Sequence, residues 1–166
     1  MSKEKALDIV LDEFMKIAEI PRPSHHEEKI AEYLYQWAEK RGLAVEKDDL
    51  GEIIIDKPAS AGCENVPRVI FQAHMDMVCV AEEGVVYNPE TDPIKVINDG
   101  VNLTAEGTSL GADDGIGISV DVHVGRFFPE RCPAQAAVSI SEICVDRGHG
   151  GHSGLFSGRK ASKVCF

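Results

Sequence analysis

Phe71-Gln72-Ala73-His74-Met75-Asp76-Met77-Val78 and Thr108-Ser109-Leu110-Gly111-Ala112-Asp113-Asp114-Gly115-Ile116-Gly117 decide the reading of this chain. The first run closes an apolar strand on a His-x-Asp pair. Residues two apart in an extended chain point to the same side, so His74 and Asp76 face one pocket together. The second run is a glycine-punctuated turn that delivers carboxylates to the start of a helix. Imidazole plus carboxylate is the ligand chemistry of a zinc or manganese hydrolytic site. A carboxylate can also bridge two metals, which lie about 3.5–4 Å apart in such sites. Each feature alone has an ordinary explanation. A His-x-Asp pair serves as a surface pair or a capped strand end, Asp113 suits a helix N-cap, and Asp-Asp-Gly is common turn chemistry. The two runs in this order are far more specific.

Around them the chain reads as an α/β fold, a mixed sheet with flanking helices. Leu7, Val10, Leu11, Phe14, Ile17 and Ala18 recur at helical spacing, and Pro21 and Pro23 end that helix. Ser24-His25-His26-Glu27 has the form of a capping box. It predicts a helix that buries Ile30, Leu34, Trp37 and Ala38 and is closed by Gly42. His25 and His26 are adjacent, do not share a helix face, and read as solvent-facing first-turn residues. Residues 43–45 and 52–55 read as strands joined by a turn through Asp48-Asp49-Leu50-Gly51. Residues 58–67 are a loop. Residues 68–73 form an apolar run suited to a central strand covered on both faces, with His74 just past its end, where ligands gather in open α/β sheets. A polar loop over 81–93 and a turn at Asn98-Asp99-Gly100 precede a short strand over 101–105. A helix begins at Gly115, and a further strand runs through 137–140. The tail from Arg147 is rich in glycine, lysine and arginine and is expected to be poorly ordered.

The two decisive runs, together with Ile20-Pro21-Arg22-Pro23-Ser24-His25-His26-Glu27-Glu28 and Val45-Glu46-Lys47-Asp48-Asp49-Leu50-Gly51, closely resemble the aminoacyl-histidine dipeptidases, also called cytosol non-specific dipeptidases. The resemblance runs from about residue 6 to about residue 118. It implies a partial zinc-exopeptidase-like catalytic domain over 1–146 and a remnant of the lid, or dimerisation, domain over 147–166. It implies that His74 is a terminal metal ligand and that Asp113 bridges two zinc ions, with manganese or cobalt as alternatives. It also implies that Asp76 orients the His74 imidazole, a role with a clear physical purpose. Asp114 stands where many relatives carry Asn and is given no ligand role.

The family's Glu-Glu strand corresponds to Val138-Ser139-Ile140-Ser141-Glu142-Ile143. Glu142 then takes the place of the general base, with a solvated charge at a strand end as the alternative. Ile143 falls on a ligand position and cannot bind metal. Gly148-His149-Gly150-Gly151-His152-Ser153-Gly154 matches a lid motif whose histidine, here His152, helps hold substrate. The alternative is a loop histidine without a partner. In the family a long stretch separates these two motifs, and here only a few residues do. The resemblance therefore implies a truncated or internally deleted member. Its expected activity is hydrolysis of Xaa-His and other small dipeptides; a complete family member is expected as a homodimer. The competing expectation is a catalytically inactive remnant that acts as a metal-binding or dimerising module.

A chain of 166 residues fits one ordinary domain, and 43% hydrophobic residues is normal for a globular protein. The formal charge of −11 argues against nucleic acid and anionic membrane as partners. Cys63, Cys79, Cys132, Cys144 and Cys165 form no Cys-x-x-Cys pair and read as free thiols in a reducing cytoplasm. No apolar run is long enough to span a bilayer, and no signal peptide is evident.

Overall fold

A computed structural model describes residues 3–127, 136–141 and 163–165. Helix α1 (Lys3–Ala18) and helix α2 (Glu28–Glu39) lead into strands β1 (Ala44–Lys47), β2 (Ile53–Lys57) and β3 (Val69–His74). The short strands β4 (Val96–Asn98) and β5 (Leu103–Ala105) follow, then helix α3 (Ala112–Phe127), β6 (Ala136–Ser141) and β7 (Lys163–Cys165). The main sheet has the order β1-β2-β6-β3-β7. β1, β2 and β6 pair antiparallel, whereas β3 runs parallel to both β6 and β7. This is the mixed sheet with flanking helices that the sequence led us to expect. β4 and β5 pair only with each other.

The apolar periodicity explains the core. Ile17 of α1, Ile30, Leu34, Trp37 and Ala38 of α2, and Ile118 and Val122 of α3 meet Ile53, Ile55 and Ala73 of the sheet in one cluster. Ile53 and Ile55 share a face because strand side chains alternate. α2 stops where Gly42 takes φ +66°, a backbone conformation that costs glycine little. The Gly42 and Leu43 amides then return to the Glu39 and Ala38 carbonyls. Asp48 closes the β1–β2 turn, its carboxylate accepting from the amides of Leu50 and Glu52 at 2.9 Å each.

Several sequence expectations need correction. Ser24 does not cap α2. The helix starts at Glu28, the flanking Glu27 makes no side-chain capping bond to it, and the Glu27 carboxylate accepts from the His25 amide instead. His25 and His26 are solvent-exposed as expected, but they precede the helix rather than form its first turn. His74 is the last residue of β3 rather than one past it. The strand expected over 101–105 is confined to 103–105 and pairs with β4, which was not foreseen. The tail from Arg147 was expected to lack order, yet residues 163–165 pair with β3. The rest of that tail lies outside the described residues. Among the described residues no helix is long and apolar enough to cross a membrane, and Cys63 and Cys79 are free thiols.

Asp121 on α3 is a buried carboxyl whose Oδ2 has no hydrogen-bond partner among the described residues. Burial, with a smaller contribution from the negative charge of Asp114, pushes its pKa up from 3.8 to about 8. The folded state therefore holds a proton that the unfolded chain releases near pH 4. Stability is greatest below that value and declines as pH climbs towards 8. Urea unfolding between pH 4 and 8 should show this decline, at up to about 1.4 kcal/mol per pH unit. Asp121→Asn should flatten the profile; an unchanged slope in that variant would assign the decline to other groups.

Candidate metal centre

β3 carries His74 to the edge of the core, and the chain leaves the strand with Met75 buried beneath and Asp76 on the His74 side. The Asp76 side chain is 7% exposed, and its Oδ1 lies 2.9 Å from His74 Nδ1. Its other oxygen, Oδ2, accepts a hydrogen bond from the Ser24 hydroxyl at 2.6 Å. In the neutral ring the Asp76 carboxylate holds the proton on Nδ1 and leaves the Nε2 lone pair turned outward; in the protonated ring both nitrogens donate, Nδ1 to Asp76 and Nε2 to Asp113. Nε2 lies 3.1 Å from Oδ1 of Asp113, whose carboxylate is almost wholly exposed.

Asp113 reaches this position because α3 has an irregular start. Asp113 and Asp114 have non-helical backbone angles, and regular helix begins only after them. The two residues are joined by a cis peptide bond. Asp114 turns the other way and accepts from the Gly117 amide at 3.0 Å and from the His74 backbone amide. It thereby ties the start of α3 to the end of β3. Burial raises the pKa of its carboxyl. An open cleft of about 670 Å³ lies over the group and is lined by His74, Asp76, Asp113 and Asp114 with Met77 and Ser109 among others.

The donor set suits a divalent cation. One imidazole nitrogen and one exposed carboxylate lie in contact in the lining of the cleft. Three carboxylates (Asp76, Asp113, Asp114) line the cleft, with the buried Arg22 guanidinium acting on Asp76 and Asp114, and a bound cation would add to the positive charge that meets them. Among the described residues no group of three or more metal-binding side chains converges. The structure does bring His74, Asp76 and Asp113 into contact, but Asp76 and Asp113 sit on opposite nitrogens of the His74 ring. Glu142 and His152 lie outside the described residues.

Three residues act here in ways the sequence reading does not contain: Ser24 behind Asp76, Arg22, and Asp114, which is given no ligand role there and instead accepts from the Gly117 and His74 amides. The Arg22 side chain is 1% exposed and donates to the carbonyls of Met75 at 2.9 Å, Asp76 at 3.2 Å and Gly111 at 2.5 Å. The available signal was an arginine and a serine confined between and just after two prolines, a rigid stretch unlike an ordinary helix cap.

The fold is one found in peptidases. A tripeptidase from Staphylococcus aureus, 22% identical, matches 80% of this chain and 35% of its own with a TM-score of 0.65. The particular likeness is to the dipeptidases that the motifs resemble. Over 108 residues the sequence is 49% identical to the cytosol non-specific dipeptidase of Escherichia coli K12, which covers 65% of this chain and 22% of that protein. The aminoacylhistidine dipeptidase of Vibrio alginolyticus superposes with a TM-score of 0.84 at 37% identity, over 93% of this chain and 31% of its own. The chain therefore spans about a fifth of the curated relative and under a third of the structural one. No family model matches it.

Burial works to lower the pKa of His74, but hydrogen bonds to Asp113 and Asp76 and the charges of Asp76 and Asp114 outweigh it. The imidazole is held above its ordinary 6.5. A ring more basic in the fold than in the unfolded chain stabilises the fold fully below the unfolded value, and that contribution is lost as pH rises through the folded value. NMR titration of the metal-free chain should therefore place His74 above 6.5. Asp113→Asn should bring it down and reduce the His74 share of any stability loss above that pH.

Proposed function

We propose that this chain carries part of the active site of a metal-dependent dipeptidase acting on Xaa-His and other small dipeptides. The observation that carries the reading is the His74 imidazole, held on Nδ1 by a buried carboxylate and facing an exposed one across Nε2. The identity with two dipeptidases over most of the chain supports the same reading. His74 Nε2 and Asp113 are the residues to hold zinc, with manganese or cobalt as alternatives. When bound, the metal supplies Lewis acidity for hydrolysis. Asp76 keeps the His74 ring in the tautomer and orientation that metal binding needs. Asp113 has a second oxygen free to reach a second metal. By resemblance, Glu142 takes the proton of the attacking water and His152 holds substrate. By the same resemblance, residues 1–146 belong to the catalytic domain and 147–166 to the lid. The working compartment is the cytoplasm, after the curated relative's name.

The second reading is a catalytically inactive remnant that at most binds metal or dimerises. It is favoured by one observation, the lack of a third metal-binding side chain beside His74 and Asp113 among the described residues. Ile143 in a ligand position agrees with it.

Calorimetry should show weak zinc binding that His74→Ala abolishes, since two ligands leave most of a tetrahedral zinc's positions to water. Zinc binding indifferent to both His74 and Asp113 would overturn the assignment. Cleavage of a Xaa-His dipeptide should be absent or very low even with zinc, manganese or cobalt added. A loosely held metal does not align its reacting partners, and misplacement by about 1 Å can cost ~100-fold. Robust turnover that disappears in Glu142→Gln would instead show a complete site in this chain.

A further inference from the structure

The segment Ile20–Ser24 lies far from the cleft in sequence and lends no ligand to it, yet it touches both halves of the site. Arg22 is buried between them. Its Nη1 donates to the Met75 and Asp76 carbonyls, at the end of the segment that carries His74 and Asp76. Its Nη2 donates to the Gly111 carbonyl, at the head of the turn that carries Asp113. The Arg22 carbonyl accepts from the Met77 amide at 3.0 Å, and Pro23 bridges to Met77 alongside. One residue later the Ser24 hydroxyl reaches the Asp76 oxygen that His74 does not use.

The glycines of the turn fit around this guanidinium. A Cβ on Gly111 would stand 2.8 Å from Arg22 Nη2 and 2.5 Å from Met77 Sδ. A Cβ on Gly115 would stand 2.7 Å from the same Nη2 and 2.9 Å from Phe14. Both distances to Nη2 are shorter than side-chain atoms tolerate. The two glycines that bracket Asp113 and Asp114 therefore let the turn close down on Arg22. A buried guanidinium in contact with three carbonyls fixes separations in a way a flexible lysine does not, because its donors form a planar fork.

We infer that Arg22 and Ser24 are positioning residues for the candidate metal centre: Arg22 sets the spacing between the His74 strand end and the Asp113 turn, and Ser24 fixes the Asp76 carboxylate that aims His74. The inference rests on the proposed metal site for its purpose, but its geometry is testable without metal. Arg22→Lys keeps a buried cation and loses the fork. Ser24→Ala loses the hydroxyl, and Ser24→Thr restores it.

The full chain is studied by NMR, first metal-free and then during zinc titration followed on the His74 ring resonances, which register weak binding. Far-UV circular dichroism checks that each variant keeps its helices. In metal-free Arg22→Lys the Gly115 amide, bonded to the Gly111 carbonyl, should exchange faster with solvent. In metal-free Ser24→Ala the His74 ring nitrogen shifts should move towards a tautomer mixture, and Ser24→Thr should return them. Zinc should bind Arg22→Lys and Ser24→Ala about 10- to 100-fold more weakly than the unaltered chain, the usual cost of losing an outer support of a metal ligand. Folded variants with unchanged exchange, ring shifts and zinc affinity would overturn the inference. If zinc fails to shift the His74 resonances of the unaltered chain, the metal reading falls. Exchange in Arg22→Lys and ring shifts in Ser24→Ala then decide the positioning roles alone.

Discussion

An imidazole with a carboxylate on each nitrogen is the arrangement around which this fold is organised. His74 meets buried Asp76 on Nδ1 and exposed Asp113 on Nε2. The two contacts differ in kind. The Asp76 bond is sheltered from water, so its electrostatic strength is retained. The Asp113 contact is open to solvent and is screened. The first therefore fixes the ring, and the second marks where a ligand or cation can compete for Nε2. This division requires β3 to end at the boundary between core and cleft, with Met75 buried on one side and Asp76 turned to the other.

Holding that boundary still is a matter of hydrogen bonds to main-chain carbonyls. The residues after β3 have left the sheet ladder, and the turn ahead of α3 has not yet entered a helix. Their carbonyls need donors wherever water is shut out. Arg22 supplies three of those donors from a segment that precedes α2. Asp114 adds a link in the opposite sense, as an acceptor for amides of His74 and Gly117. Two charged side chains thus replace regular secondary structure at the place where the chain must be irregular to present Asp113.

Much of this was legible in the sequence, for a physical reason. Apolar residues at helical spacing located α1 and α2, because only one face of each is buried. Alternation along an extended chain puts His74 and Asp76 on one side. Ser24 was misread because Ser-x-x-Glu is equally a capping box or coincidence. Its hydroxyl found Asp76, a partner 52 residues away that no local pattern reveals. Arg22 was passed over because arginine is normally a surface residue, and nothing nearby in sequence announces the three carbonyls that hold it. The three-residue strands β4 and β7 are too short to show a period. Ile54 is as buried as Ile53 and Ile55, so that strand reads as a continuous apolar run rather than an alternating one.

The position of β6 has a consequence for how the chain acquires its structure. β2 and β3 are separated in sequence only by a loop, yet they share no ladder; β6 lies between them, antiparallel to one and parallel to the other. During synthesis both strands emerge early with their facing edges unpaired, and they wait for residues 136–141. Contacts between such distant segments form slowly, because a long loop must close before pairing begins to repay its entropy. Until then the facing edges of β2 and β3 stay open to any neighbour able to pair with them, as does the far edge of β3, whose partner β7 comes later still. Helices α1 and α2 can form in that interval from local contacts, but the cleft cannot be held rigid from its sheet side until β6 is in place.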